Sequence, residues 1–275
     1  MYQSLGETYY DRLQQGKAID RPQETANAIA AFQAAIARRE TLYDHAPLAT
    51  SLVYLGLLYQ SQGRYSEAEP LLVRSLQIDK QIYGEEHPEV ATNLHNLALL
   101  YQSQRRYVEA ELLLVRSLQI DQQVYGEDHP EIATNLNNLA ALYRLQGRYS
   151  EAEPLLVRSL QIREQQLGSD HRSTATSLNN LAALYESQGR YAEAEPLYVR
   201  SLQIREQQLG ADHPDTALSL NNLAGLYDLQ GCYAEAEPLY LRSLQIYKQQ
   251  LGADHPNTQT VRKNLAMLRQ AMEKE

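Results

Sequence analysis

A chain of 275 residues with 43% apolar residues and a formal net charge of −9 can bury enough surface to fold. It lacks the clustered Lys and Arg that nucleic acid or an anionic membrane surface requires. No run of about 18 apolar residues could cross a bilayer, no basic-then-apolar leader opens the chain, and Cys232 is the single cysteine, so a reducing cytoplasm without intrachain disulfides is the expected setting.

Tyrosine dominates the aromatics, with 20 Tyr against one Phe (Phe32) and no Trp, as in a template copied several times. At the N-terminus, "LGETYY" (5–10) and "ANAIAAFQAAI" (26–36) read as the two helices of a degenerate repeat over 1–45. The extra stretch "RLQQGKAIDRPQ" lengthens its turn, and the first helix reads as truncated, as in a fragment of a longer protein.

From there a strict period takes over. His45, His87, His129, His171, His213 and His255 stand 42 positions apart, and tyrosines, alanines and glycines keep the same frame. Self-similarity at such a period marks a stacked repeat architecture. Five repeats follow, 46–87, 88–129, 130–171, 172–213 and 214–255, each predicted to be two helices. In the first, Pro88 suits the opening turn and Val90, Leu94, Leu97 and Tyr101 form one stripe. "QGRY" or "QRRY" makes the turn. The second opens with Ser66 and Glu69, or Ser150 and Glu153, spaced for a capping box. Its stripe is Ala68, Leu72, Ser75, Leu76 and an apolar residue near 82–83, and Gly84 ends it. The prolines at 70, 154, 196 and 238 fall early enough to cost about one backbone bond each. Residues 256–275 hold a capping helix, where Arg262, Lys263 and Arg269 replace the repeat's Leu, Asn and Tyr.

Leu55-Gly56-x-x-Tyr59 with Gly63, Ala68, Leu72 and Ser75 resembles the tetratricopeptide repeat signature, and the 42-residue version resembles the repeats of kinesin light chain and similar bacterial arrays. The resemblance covers nearly the whole chain. It implies an all-α, right-handed α-solenoid of about thirteen helices, with the first helix of each repeat lining a concave groove that binds a protein or peptide.

On that face the pair in "LNNLA" recurs although asparagine is a mediocre helix former. One ladder is Asn96, Asn138, Asn180, Asn222 and Asn264; the neighbouring rung is His95, Asn137, Asn179, Asn221 and Lys263. A primary amide offers donors and an acceptor to a ligand's main chain, and the resemblance implies that role. The alternative is that the amides tie adjacent first helices together. The floor runs Leu57, Leu99, Ala141, Ala183, Gly225, Met267. Its small members leave room for a bulky ligand side chain or mark a close helix approach. The rim runs Gln60, Gln102, Arg144, Glu186, Asp228, with Arg144 as its cation and Glu186 and Asp228 set to repel acids. This departs from the acidic, tryptophan-bearing cargo peptides that the kinesin-light-chain resemblance implies.

The six periodic histidines sit too far apart, roughly 8–10 Å or more between neighbouring helices, to gather one metal. They read as first-helix caps, and the repeated Glu67, Glu69 and Arg74 read as a solvated face. Cys232 replaces the arginine of Arg64, Arg148 and Arg190 in a turn and reads as an incidental exposed thiol. Reactive side chains recur in equivalent settings, so no catalytic residue, metal or cofactor is assigned. The expected function is a peptide-binding scaffold with no nucleic acid or membrane partner. The alternatives are a weakly self-associating array that uses its convex face or ends, and a cargo-binding piece of a kinesin light chain. No coiled-coil heptad accompanies the repeats to support the last.

Overall fold

In most repeats a histidine, usually followed by proline, sets where the first helix begins, and a glycine sets where the second helix ends. The computed structural model describes residues 2–14, 21–42 and 44–273. It has thirteen helices and no strand among the described residues: α1 Tyr2–Gln14, α2 Arg21–Leu42, α3 His45–Ser61, α4 Tyr65–Tyr83, α5 Pro88–Ser103, α6 Tyr107–Tyr125, α7 Pro130–Leu145, α8 Tyr149–Leu167, α9 Arg172–Ser187, α10 Tyr191–Leu209, α11 Pro214–Leu229, α12 Tyr233–Leu251 and α13 Pro256–Met272. They group into two compact units, Met1–Leu142 and Tyr143–Glu275, divided inside α7. Within the first, α1 to α6 each pack on the next; within the second, α8 to α13 do so.

Five of the six periodic histidines cap as expected, whereas His45 is the first residue of α3 and Asp44 stands at its cap without a side-chain cap bond. His87 Nδ1 accepts the Glu89 backbone N–H at 3.2 Å, and His129, His171, His213 and His255 do the same two residues on. Each satisfies one of the amide groups a helix start leaves unpaired. Gly84 carries φ 86° at the end of α4, a left-handed conformation costly for a residue with a Cβ.

The capping boxes are not formed. The cap of α4 falls two residues before Ser66, at Arg64, with no side-chain cap bond and Tyr65 as the first helical residue, and α8 does the same with Arg148. The glutamates are used differently. The Arg106 guanidinium lies 3.7 Å from the Tyr101 ring centre, grips Glu109 at 2.6 Å and reaches Glu69 of the preceding repeat at 2.9 Å. Arg190 repeats this clasp on Tyr185, Glu193 and Glu153. Glu69 and Glu153 therefore join repeats rather than forming a merely solvated face.

The core follows the predicted stripes, with two corrections. Val90, Leu94 and Leu97 are buried, as are Ala68, Leu72 and Ser75. Ser75 sits there because its hydroxyl donates to the Ala49 carbonyl at 3.0 Å, tying α4 to α3; Ser117, Ser201 and Ser243 tie their own pairs likewise. Ile82 and Tyr83, by contrast, are exposed. The inner position belongs to Asp79, only 6% exposed, which accepts from Asn93 Nδ2 at 2.6 Å. Asp121 and Asn135 repeat the pair at 2.7 Å. In the second unit an arginine faces a serine instead: Arg163 donates to Ser177 at 3.2 Å, and Arg205 to Ser219 at 3.0 Å.

At the N-terminus α1 runs to Gln14 and α2 starts at Arg21, so much of the stretch expected as an extended turn is helical; residues 15–20 lie outside the described part. Leu13, Ala28 and Phe32 join Leu55, Leu58 and Tyr59 in one cluster. Gly6 is needed there, because a Cβ on it would meet the Phe32 ring at 2.9 Å.

Candidate peptide-binding face

In the first unit Asn96 and Asn138 are half-buried and Asn137 is buried. Asn138 Nδ2 lies 3.5 Å from His95 Nδ1 in the preceding first helix. Burial pushes the His95 pKa down, so the ring is held neutral with a nitrogen able to accept.

In the second unit the two rungs join into one chain. Asn264 Nδ2 donates to Asn221 Oδ1 at 3.1 Å, Asn221 Nδ2 to Asn222 Oδ1 at 3.3 Å, and Asn222 Nδ2 to Asn179 Oδ1 at 2.9 Å. Each cross-helix bond is diagonal, from the second position of one repeat to the first position of the repeat before. Asn179 is buried, while Asn180, Asn221, Asn222 and Asn264 are half-buried. The amides thus tie neighbouring first helices. A primary amide has two N–H groups, so Asn222 and Asn264 each keep one that no described residue takes.

The rim and floor depart from the simple pattern at α9 and α11. Gln60 donates to Ser103 at 3.3 Å and Arg144 to Ser187 at 3.4 Å, each reaching into the next repeat. Glu186 and Asp228 have Leu229 and Ala271 at the matching places, so that tie is lost. Glu186 accepts instead from the Tyr198 hydroxyl at 2.8 Å, from the second helix of its own repeat. Burial raises the Glu186 pKa, against the Tyr198 hydrogen bond and Arg144. Asp228 is raised by burial alone.

Tyr198 and Tyr240 stand where α4, α6 and α8 place Leu72, Leu114 and Leu156. Their longer side chains lie under the small floor residues. Ala183 packs against the cluster that holds Tyr198, and a Cβ on Gly225 would lie 3.6 Å from the Tyr240 hydroxyl. The protein's own phenols therefore bound the space beneath Ala183 and Gly225. In the first unit Ala141 is half-buried with no such tyrosine assigned to it. The phenols escaped the sequence reading; the signal was their co-occurrence, since tyrosine replaces leucine in the same repeats whose rim residue is acidic. Among the described residues no three His, Cys, Asp or Glu gather as metal ligands would, and no helix is long and apolar enough to cross a membrane.

The tetratricopeptide repeat profile matches residues 21–81, 47–123, 94–165, 132–207, 173–249 and 224–275. These matches run through almost the whole chain, which belongs to the tetratricopeptide repeat family, a family of protein–protein interaction scaffolds. Among solved structures, BtubC (BKLC) from P. vanneervenii superposes with a TM-score of 0.68 at 24% identity, over 83% of this chain and 92% of that one. A putative kinesin light chain of P. anserina with nearly identical TPR-like repeats gives 0.60 at 29% identity, over 74% of this chain and 97% of its own. A Rap protein complexed with competence and sporulation factor gives 0.62 at 17% identity, over 98% of this chain and 76% of its own. At 24% and 17% identity the likeness speaks for the shared fold alone. A search of curated proteins found no match.

Proposed function

We propose that the first-helix face of the repeats binds a peptide segment of a partner protein through its asparagine ladder. The observation that carries this reading is the half-buried amide chain Asn264–Asn221–Asn222–Asn179. Each amide is held in place by its neighbour, so little side-chain freedom remains to be lost when a ligand arrives. The N–H groups still unused on Asn222 and Asn264 suit main-chain carbonyls, which every peptide offers. That a Rap protein of the same fold is solved with a peptide factor is compatible with this use of the scaffold. A cytoplasmic setting fits the single cysteine.

The test is peptide display against the full chain, followed by titration of a selected peptide. Asn222→Ala with Asn264→Ala is expected to weaken binding about tenfold or more while helical content persists. Unchanged affinity in a folded variant rejects the groove.

One observation favours a second reading, association through the opposite side. Val108 and Leu112 on α6 are 75% and 66% exposed, at positions that are Ser or Ala and Pro in α4, α8, α10 and α12. If this patch joins copies of the chain, sedimentation shows a mass that rises with concentration, and Val108→Ser with Leu112→Glu abolishes the rise.

A further inference from the structure

Asp228 on α11 and Tyr240 on α12 differ from several polar groups that lie near them in sequence position along the repeats. Gln60 and Arg144 are tied to the serine of the next repeat, and Glu186 is tied to Tyr198. The Asp228 carboxylate has no hydrogen bond or ion pair among the described residues, and its matching neighbour, Ala271, cannot supply one. The Tyr240 hydroxyl has no partner among them either, although the residue is only 2% exposed. The Tyr240 ring is buried, but its hydroxyl is not among the fully enclosed unpaired atoms, so the oxygen still reaches the surface, where water or a ligand can pair with it.

The position of that hydroxyl explains where a partner would come from. It lies 3.6 Å from the point where Gly225 would carry a Cβ, so the missing side chain of Gly225 is the opening above it. Asp228 follows three residues later on the same face of α11. Asp228 and Glu186 both act electrostatically on the phenol. The cation that acts on Glu186 is Arg144, one repeat further away, and none acts on Asp228. On α13 the residues matching Gly225 and Asp228 are Met267 and Gln270, both uncharged.

Two carboxylates whose charge reaches a phenol oxygen that can accept a hydrogen bond form an environment for a cation rich in N–H donors. A guanidinium or an ammonium supplies both the charge and the donors, and an acidic side chain would be repelled. We propose that Asp228, Glu186 and the Tyr240 hydroxyl form a subsite that takes the basic side chain, Arg or Lys, of the peptide segment bound on this face. The proposal rests on the peptide-binding reading above and adds its side-chain preference. It also gives Tyr240 a reason to be tyrosine where leucine fills the same position in three other repeats.

The experiment displays random short peptides to the full chain and measures selected sequences against three proteins: the wild type, Asp228→Asn and Tyr240→Phe. Wild-type selections are expected to share an Arg or Lys at one position. Replacing that residue by Gln should weaken binding to the wild type about tenfold, and to Asp228→Asn by less than about threefold. Exchanging Arg for Lys shows which cation fits better. Tyr240→Phe should lose affinity for the basic peptide while its unfolding midpoint stays level or rises, since the hydroxyl has no intramolecular bond to lose. A merely structural tyrosine would instead lower the midpoint and leave affinity alone. Selections that depend on Asn222 but share no basic residue overturn this subsite and leave the peptide-binding face standing, as does an equal loss in wild type and Asp228→Asn. If nothing is selected, both fall.

Discussion

Asn222 Nδ2 in α11 donates to Asn179 Oδ1 in α9 over 2.9 Å, although the two residues occupy different places in their asparagine pairs. The pair is therefore a diagonal connector, with its second member reaching back to the first member of the previous repeat. This explains why both positions hold asparagine: one presents the acceptor, the other the donor. A double-mutant cycle on Asn179→Ala and Asn222→Ala, followed by urea unfolding, is expected to give single losses of about 0.5–1.5 kcal/mol each. The combined loss should fall short of their sum, because either substitution alone breaks the shared bond. Strict additivity would mean that the tie contributes nothing.

The buried ionisable positions make a sharper prediction. Asp79 is matched with Asn93 and Asp121 with Asn135, whereas Arg163 and Arg205 are matched with Ser177 and Ser219. A carboxylate needs a donor that reaches it; an arginine needs an acceptor and room. Asn93→Ser shortens the donor and should cost about 1–3 kcal/mol. Adding Asp79→Arg converts the site to the other type and should recover most of that loss in thermal unfolding.

Burial also makes these carboxyls sensitive to pH. Burial is the first cause that raises the Asp121 pKa, opposed by the Asn135 hydrogen bond. A carboxyl with a raised folded pKa contributes its full stability when protonated in both states, below the ordinary aspartate range. That contribution is lost as pH rises through the folded value. Asp121→Asn cannot ionise and still accepts from Asn135. It should therefore exceed the wild type by on the order of 1 kcal/mol at neutral pH. The gap should close as pH falls toward the ordinary aspartate range, read from urea midpoints across that span.

Particular residues show what could be read before any coordinates. Val90, Leu94 and Leu97 recur at helical spacing, so periodicity alone placed them inside, and the His-Pro step placed the starts of α5, α7, α11 and α13. Asp79 was hidden because a pattern of apolar residues treats every charge as solvent-facing and puts Ile82 or Tyr83 in its place. Only its pairing with Asn93, fourteen residues on, and the joint change to Arg163 and Ser177 reveal a buried polar couple. Tyr198 was hidden for another reason. Its stripe position is correct for leucine, and only side-chain length carries its hydroxyl across to Glu186. The asparagine ladder was visible as a repeated pattern, but its diagonal bonding depends on how neighbouring first helices are offset along their axes.

Cys232 breaks the arginine clasp in one repeat only. Arg64, Arg106, Arg148 and Arg190 each lie over a tyrosine ring at 3.7–4.0 Å. At the fifth place the Tyr227 hydroxyl turns to Glu195 instead, at 3.0 Å. Cys232→Arg restores a cation over Tyr227, an ion pair with Glu235 three residues on, and a reach to Glu195. The expected gain is about 0.5–1.5 kcal/mol in thermal unfolding. It should shrink in high salt, because the ion pairs are exposed. A salt-independent gain would point to the ring contact alone.

Arg105 takes the place that glycine holds in the other four repeat turns. Gly63, Gly147, Gly189 and Gly231 have φ of 72–73°, and Arg105 is forced to 61°. That is the left-handed region, where a side chain's Cβ crowds the backbone. Around the equivalent glycines a Cβ would meet nothing within 4 Å, so no packing compensates the strain there. The Arg105 side chain is exposed, so little is lost by removing it. Arg105→Gly is therefore expected to raise stability by about 1 kcal/mol, despite the greater freedom glycine adds to the unfolded chain. Arg105→Ala provides the control. It removes the same side chain beyond Cβ but keeps the crowding, so its unfolding midpoint should stay near the wild type. An equal gain from both variants would place the penalty in the arginine side chain rather than in the backbone.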